Sequence, residues 1–157
     1  MMTKTQLYQG LAAQLRELLA EEHDLIANAA NLSALLYHSL PELNWAGFYF
    51  LRGGALVLGP FQGKPACTRI VLGKGVCGTA AASRKTVLVE NVHEFPGHIA
   101  CDGASNSEIV LPILKDDQVV GVLDFDSPRL GRFDAEDRAG LESLVRGFIE
   151  RTDITTP

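Results

Sequence analysis

The sequence predicts an α+β domain: an antiparallel sheet of about six strands, with N-terminal and C-terminal helices packed on one face. Three observations predict it. Both ends of the chain have the hydrophobic period of helices, and the middle consists of short apolar runs separated by turn residues. The strand-like runs do not alternate strictly with helices, as a parallel sheet would require.

Two amphipathic helices are predicted at the N-terminal end of the chain. Apolar residues recur there at helical spacing in two stripes. The first stripe is Leu7, Leu11, Leu15 and Leu18, and the second is Leu25, Ala29, Leu32 and Leu36. Proline cannot continue a helix interior, so the second helix should stop at Pro41.

The middle of the chain contains the strands. NWAGFYFLRGGALVLGPFQG is typical of a hairpin that turns at Gly53-Gly54. CTRIVL predicts a further strand, GKGVCGTAAASRK a glycine-rich turn that opens a short helix, and TVLVENV another strand. After a loop from His93 to Ser107, EIVLPILKDDQVVGVLDFDS predicts two strands joined at Asp116-Asp117. A loop of that length, with no secondary structure of its own, is more typical of a binding site than of a connection.

RFDAEDRAGLESLVRGFIERT predicts a final helix with Asp134 as its N-cap. Its inward face should carry Leu141, Leu144, Val145 and Phe148. At 157 residues, the chain from 1 to 157 is expected to form a single domain. A domain of this size buries roughly 70% of the surface of its unfolded chain.

Composition narrows the class of protein. The 14 basic and 19 acidic residues are interspersed and give a net charge of −5, and no basic cluster alternates with aromatics, so nucleic acid is not expected as a partner. MMTKTQLYQG lacks the apolar core of a signal peptide, and no apolar run approaches the length of a membrane span. We therefore expect a cytoplasmic protein that does not enter a membrane.

Strand alternation places three carboxylates on one face of the sheet. In GVLDFDS, Asp124 and Asp126 point away from the face that carries Leu123 and Phe125. Counting outward from the hairpin turn brings Glu108 level with Asp124 or Asp126. In NWAGFYF, two aromatic side chains share a face in the same way, and these are Trp45 and Tyr49. The sequence thus predicts one pocket with three carboxylates and two aromatics, roofed by the loop from His93 to Ser107.

Such crowding of carboxylates has a chemical consequence. Like charges this close destabilise a sheet unless a cation or shared protons intervene. If the loop excludes water, at least one carboxyl should have a raised pKa and act as an acid near neutral pH. The pattern indicates an ammonium-bearing ligand, acid catalysis, or both.

The cysteines are the candidate nucleophiles. HIACDGASNSEIVLP sets Cys101 and Asp102 in a loop of small polar residues, which offers little to bury a thiol against, although free cysteines are usually buried. Cys67 begins a strand and Cys77 lies in a glycine-rich turn, so neither is expected deep in the core. Three cysteines without a close pair argue against structural disulfides. A thiol that is oxidised in each turnover needs a second thiol, and two are available.

Three other interpretations fit less well. A zinc site of Cys67, Cys77, Cys101 and a histidine would lack the close ligand pairs of usual zinc sites, and no metal is expected. A hydrolase pairing Cys101 with His98 or His93 would lack an identifiable oxyanion group. GKGVCGT does not have the residue order of a phosphate-binding loop.

These motifs resemble a known family. HIACDGASNSEIVLP, NWAGFYFL, LGPFQGKPAC, GKGVCGTAA and GVLDFDS closely resemble the free methionine-(R)-sulfoxide reductases, which are stand-alone GAF-domain enzymes. The resemblance runs from about residue 30 to 150 and implies a GAF-like fold. It implies that Cys101 is the nucleophile, that Cys67 is the preferred resolving thiol, and that Cys77 is a secondary thiol.

The resemblance also assigns roles to the pocket. Glu108, Asp124 and Asp126 would bind the substrate and polarise the sulfoxide oxygen, with Asp126 or Glu108 donating a proton and Asp124 holding the α-ammonium group. Trp45 and Tyr49 would line the pocket for the methyl group.

The expected reaction is reduction of free methionine-(R)-sulfoxide through a sulfenic acid and an intramolecular disulfide. Thioredoxin or a similar dithiol would recycle the enzyme, and no bound cofactor is expected. The oligomeric state stays open, with a homodimer as one option. The alternative function is a GAF ligand-binding sensor whose cysteines are incidental or report redox state.

Overall fold

The structure, a computed structural model, describes residues 1–98, 101 and 103–155. In chain order the elements are α1 (Lys4–Leu18), α2 (Leu25–Ser39), β1 (Trp45–Arg52), β2 (Ala55–Gly63), β3 (Arg69–Val71), α3 (Gly75–Ser83), β4 (Val87–Val89), a 3₁₀ turn (Val92–Glu94), β5 (Ser107–Lys115), β6 (Gln118–Ser127) and α4 (Ala135–Arg151). Every helix in the described part of the chain is too short or too polar to cross a lipid bilayer.

The strands form one sheet in the order β3-β2-β1-β6-β5-β4, and each neighbouring pair is antiparallel. The two long hairpins turn where the sequence indicated. Gly53 and Gly54 have φ of 59° and 82°, and Asp116 and Asp117 have φ of 50° and 67°. Positive φ at both central residues gives a turn whose twist matches that of paired strands. The α+β prediction with about six antiparallel strands is confirmed.

Three helices cover one face of the sheet, as predicted. Side chains from α1, α2 and α4 share one buried cluster with alternate residues of β1, β5 and β6. Its largest fully buried members are Phe48, Phe125 and Phe148. In α4, the side chain of Asp134 accepts a hydrogen bond from the Asp137 amide and caps the helix, as the sequence predicted.

One member of the first predicted stripe is misplaced. Leu18 is 42% exposed, whereas Tyr8 and Leu19 are buried beside Leu11 and Leu15. At 3.6 residues per turn, these four buried residues span an arc of about 80°, and Leu18 lies outside it. The buried face of α1 is therefore rotated away from the predicted stripe.

The short helix α3 lies on the opposite face of the sheet. It belongs to a second buried cluster with residues of β1, β5 and β6, and its own members are Val76, Cys77, Ala80 and Ala81. The expectation that Cys77 stays out of the deep core is wrong, because its side chain is only 4% exposed. The helix α3 begins at Gly75, so Cys77 belongs to its first turn and not to the glycine-rich turn before it, and its side chain faces the sheet.

A buried charged network ties α1 to α4. Asp137 is 1% exposed and accepts hydrogen bonds from the Tyr8 hydroxyl at 2.8 Å, from Lys4 Nζ at 2.7 Å and from Arg132 Nη1 at 3.2 Å. Arg132 is itself only 4% exposed. Removing one member of such a network leaves a buried charge unpaired, which is strongly destabilising.

We therefore expect Asp137→Asn to lower the free energy of unfolding by about 3 kcal/mol, because the buried Arg132 guanidinium loses its counter-charge. Urea denaturation would measure the loss. Asp117→Asn is the matched control, since the Asp117 side chain is 94% exposed in its pair with Arg84 and should change stability by less than about 0.5 kcal/mol. Equal effects of the two variants would contradict the role assigned to the network.

Candidate functional site

The register of three strands assembles the predicted residues on one face. Glu108 of β5 pairs with Asp126 of β6, and Asp126 also pairs with Trp45 of β1. Two residues along β6, Asp124 pairs with Gly47. Counting from the Asp116-Asp117 turn had left Asp124 or Asp126 as the partner of Glu108, and the register shows that it is Asp126.

A pocket opens on this face, the one that α3 also covers. Seven of the predicted site residues line it: Trp45, Tyr49, Cys77, Cys101, Glu108, Asp124 and Asp126. The eighth, Cys67, joins the site through a disulfide with Cys101, with a Cα–Cα distance of 5.7 Å that is ordinary for such a bond. Asp102 lies outside the described residues.

Burial sets the electrostatics of the carboxyl groups. Glu108 is 6% and Asp124 is 5% exposed. Burial raises the pKa of Glu108 well above its usual range, and the charges of Asp124 and Asp126 raise it further. Burial also raises the pKa of Asp124, but hydrogen bonds from Glu108 and Cys77 oppose that rise. A proton shared by the pair therefore resides on Glu108, and Asp124 carries the negative charge.

Asp124 lacks a complete set of partners. Its Oδ1 atom is buried and has no hydrogen-bond partner among the described residues. A buried acceptor left unpaired costs about 1–3 kcal/mol. This oxygen is therefore prepared for a donor or a cation that enters the pocket.

Cys77 lies beneath the same carboxyl groups. One ligand atom from each of Cys77, Glu108 and Asp124 lies within 4.8 Å of the others, a spacing that could hold a metal ion. Burial raises the pKa of the Cys77 thiol well above its usual range, and the neighbouring carboxylates add to the rise. Cys77 is therefore a neutral thiol here. The zinc site weighed from the sequence is not formed, because the disulfide occupies the sulfurs of Cys67 and Cys101.

An aromatic wall forms another side of the pocket. Trp45 stacks on Tyr49 and on Phe61, with ring centroids 5.9 and 5.2 Å apart. Its Nε1 donates to the Lys64 carbonyl at 3.1 Å, and the Tyr49 hydroxyl donates to the Cys67 carbonyl at 2.9 Å. The aromatic wall therefore also positions the chain segment that carries Cys67.

Hydrogen bonds anchor the loop that carries Cys101. Asn44 Nδ2 donates to Ser105 Oγ at 3.0 Å, and the Asn106 amide donates to the Ser127 carbonyl at 2.8 Å. A ring nitrogen of His93 lies 2.9 Å from Asn106 Oδ1. The sequence suggested a loop without secondary structure of its own. In the structure, the 3₁₀ turn occupies the start of this loop. These contacts hold both of its ends beside the pocket.

Several residues that line the pocket were not predicted from the sequence. Lys74 lies at the rim, followed by Gly75 and Val76 of α3, and His98 shares the pocket with Cys101. The signal for Lys74 in the sequence is the GKG segment itself, a glycine-rich turn that opens α3. Burial and the nearby His93 lower the pKa of His98, so its imidazole is neutral at pH 7.

Comparison with known proteins finds close relatives. Residues 28–148 match the GAF domain family. The chain is 56% identical over 144 residues to the free methionine-R-sulfoxide reductase of Escherichia coli, which covers 92% of this chain and 87% of that protein. The structure of fRMsr of Staphylococcus aureus in complex with substrate is 51% identical, with a TM-score of 0.88, covering 92% of this chain and 94% of that one. The structure of the free methionine-R-sulfoxide reductase from Neisseria meningitidis, in complex with its substrate, is 42% identical in sequence, with a TM-score of 0.92. The match covers 96% of this chain and 91% of that one.

The raised pKa of Glu108 predicts a pH-dependent gain in stability on its removal. An acid whose pKa is higher in the folded than in the unfolded chain lowers stability as the pH rises above its unfolded value, near 4.3. Since glutamine cannot ionise, Glu108→Gln should raise the melting temperature of the ligand-free protein at pH 8 by roughly 2–4 °C, the shift that about 1 kcal/mol produces in a chain of this size. The gain should vanish near pH 4, as measured by differential scanning fluorimetry.

Glu150→Gln serves as the control, because the Glu150 side chain is 71% exposed. It should leave the melting temperature unchanged across the same pH range. A gain for Glu108→Gln that does not vary with pH, or a lower melting temperature at pH 8, would show that burial does not disfavour the Glu108 charge.

Proposed function

The chain belongs to the free methionine-R-sulfoxide reductases, which are GAF-domain enzymes, and on this premise we propose that it reduces free L-methionine-(R)-sulfoxide through a cysteine sulfenic acid and an intramolecular disulfide. One observation carries the proposal. A disulfide-linked Cys101 faces the same pocket as a buried carboxylic acid and an unpartnered carboxylate oxygen. The preference for the R epimer rests on the family alone.

The first step transfers the oxygen to the enzyme. The thiolate of reduced Cys101 attacks the sulfoxide sulfur, and a proton is delivered to the sulfoxide oxygen. The sulfur–oxygen bond of the substrate breaks and Cys101 becomes a sulfenic acid. Methionine leaves with its sulfur reduced by two electrons, and the Cys101 sulfur is oxidised by two.

Glu108 is the proposed proton donor. The sulfoxide oxygen is a poor leaving group until it is protonated, so the donor must still hold its proton near neutral pH. The raised pKa of buried Glu108 supplies that condition. Asp126 faces Glu108 across the two strands and would help to polarise the oxygen. It remains the alternative donor.

The second step forms the disulfide. The Cys67 thiol attacks the sulfenic sulfur of Cys101, a sulfur–sulfur bond forms, and the oxygen leaves as water. The 5.7 Å Cα–Cα distance between the two residues supports this pairing. A dithiol then reduces the disulfide by exchange, which restores both thiols.

Recognition of a free amino acid is the proposed role of Asp124. The α-ammonium group of the substrate would donate to its unpartnered Oδ1 atom. A methionine sulfoxide inside a protein has an amide at that position and would leave the buried charge unpaired, which the site would reject. Trp45 and Tyr49 would contact the methyl group.

Cys77 is proposed as a secondary thiol. Its buried position and raised pKa make it a weak nucleophile. Thioredoxin as the reductant and a cytoplasmic location also belong to the proposal, because the cycle needs a reducing compartment. A homodimer likewise belongs to the proposal.

Cys101→Ser should abolish turnover. In a thioredoxin-coupled assay with free methionine-(R)-sulfoxide, we expect NADPH consumption to fall at least about 100-fold, because a serine hydroxyl cannot replace the thiolate. Cys77→Ala is the matched control and should retain most of the rate. An unimpaired Cys101→Ser variant would remove Cys101 as the nucleophile, and a bound nucleotide or tetrapyrrole without turnover would favour the sensor.

Peptide mapping would identify the resolving thiol. After one equivalent of substrate without reductant, the wild-type protein and Cys77→Ala should both contain the disulfide between Cys67 and Cys101. Cys67→Ser should instead accumulate a sulfenic acid that a dimedone probe traps, because Cys77 reacts slowly. A predominant disulfide that includes Cys77 in the wild-type protein would overturn this assignment.

A further inference from the structure

We propose that the surface on the Cys67 side of the disulfide is the docking site for the dithiol protein that reduces it, and that this partner is acidic. The basic surface, as we call it, consists of exposed basic and apolar residues: Lys64, Arg69, Lys74, Val71 and Leu72. The inference rests on the proposed function, which supplies the disulfide that must be reduced. It adds where the reductant binds and which charge it carries.

The basic residues of this surface belong to a segment without acidic residues. Acids and bases are mixed over much of the chain, but residues 43–89 contain six of the 14 basic residues and none of the 19 acidic ones. The six are Arg52, Lys64, Arg69, Lys74, Arg84 and Lys85. This segment therefore has a formal charge of +6 in a chain whose net charge is −5. Such a separation of charge steers an acidic partner to one side of the molecule.

The charges of the basic surface lie around the disulfide and are available to a partner. Lys64 comes three residues before Cys67 and Arg69 two residues after it, and both are exposed. Lys74 lines the same pocket as Cys101. The ion pairs among the described residues involve none of these three basic side chains. Their charge is therefore not neutralised within the described part of the chain.

The same surface gives a partner access to the disulfide. Cys101 is exposed and Cys67 is half-buried. The strand that follows Cys67, β3, is at the edge of the sheet and has β2 as its single neighbour among the described strands. Edge strands are surfaces along which another protein can bind. Val71 and Leu72 are 62% and 38% exposed, so the surface combines apolar side chains with a charged rim, as protein interfaces do.

Recycling requires a partner thiol to reach this disulfide. A thiolate of the partner attacks one sulfur of the pair, a mixed disulfide forms, and the bond between Cys67 and Cys101 breaks as the other cysteine leaves as a thiolate. The second partner thiol then displaces the remaining cysteine. The partner is oxidised by two electrons to its own disulfide, and its two thiol protons balance those gained by Cys67 and Cys101. Acidic residues around the partner's cysteines would face the basic surface during both exchanges.

The test compares reduction of the disulfide by a protein with reduction by a small dithiol. Protein oxidised with diamide is reacted with a thioredoxin of net negative charge or with dithiothreitol, and the second-order rate constants are measured. Raising the salt concentration from about 10 to about 150 mM shortens the screening length from about 30 to about 8 Å. With thioredoxin, the wild-type rate constant should fall about 10-fold over this range. With uncharged dithiothreitol it should stay nearly constant.

Reversing two charges should remove the preference for the acidic protein. Lys64→Glu combined with Arg69→Glu should lower the thioredoxin rate constant at low salt by about 10-fold and remove most of its salt dependence, while the dithiothreitol rate stays unchanged. Neither residue lines the pocket. Should the reversed pair fail to fold, Lys64→Gln with Arg69→Gln gives the same comparison with a loss of about 3-fold.

Arg84→Glu combined with Lys85→Glu is the matched control. It reverses one arginine and one lysine of the same segment and gives the same net charge. These residues follow the other end of α3, roughly 15 Å along the helix from the end that reaches the pocket. The control should therefore keep most of the wild-type rate with thioredoxin.

Equal losses in the two reversed pairs would refute the docking site, because net charge alone would then explain them. An equal loss with dithiothreitol, or a wild-type rate that does not depend on salt, would refute it as well. The assay contains no sulfoxide. If free methionine-(R)-sulfoxide is not reduced with either dithiol, but reversal of Lys64 and Arg69 slows thioredoxin alone, the docking site stands and the proposed reaction falls.

Discussion

The pairing of β5 with β6 is the constraint on which the pocket depends. Their hairpin turn determines which residues oppose each other, and the register places Glu108 beside Asp126 with Asp124 two residues away. A slip of either strand by one residue would move the carboxyl groups of that strand to the face covered by α1, α2 and α4. The apolar side chains of these strands would then lie in the pocket, so burial of one face also secures the chemistry of the other.

The pocket combines groups that would not be stable together on their own. Carboxyls crowded without a cation destabilise a sheet, and here one of them stays protonated while another carries the charge. The large cluster on the opposite face, built around Phe48, Phe125 and Phe148, supplies the stability that offsets this cost. Keeping a protonated acid and an unpartnered acceptor in the pocket thus lowers the folding stability of the protein.

Small residues allow α3 to pack closely against the face of the sheet that carries the pocket. Gly78 approaches the Val71 carbonyl so closely that a side chain at this position could not fit. Alanines and a cysteine let α3 lie directly against the strands that carry the acids. The start of α3 consequently reaches the pocket. Lys74 is exposed at the rim of the pocket, and Cys77 is buried below the carboxyl groups.

Local patterns in the sequence determined much of this protein. Alternation along strands assigned Asp124, Glu108 and Trp45 to one face, and the turn at Asp116-Asp117 narrowed the partner of Glu108 to Asp124 or Asp126, because both effects act between near neighbours. Only the tertiary structure decided that α3 covers the other face, that Cys77 is buried, that Leu18 is exposed and that Lys74 reaches the pocket. These outcomes depend on contacts between segments far apart in the chain, which the local pattern of hydrophobic and polar residues does not determine by itself.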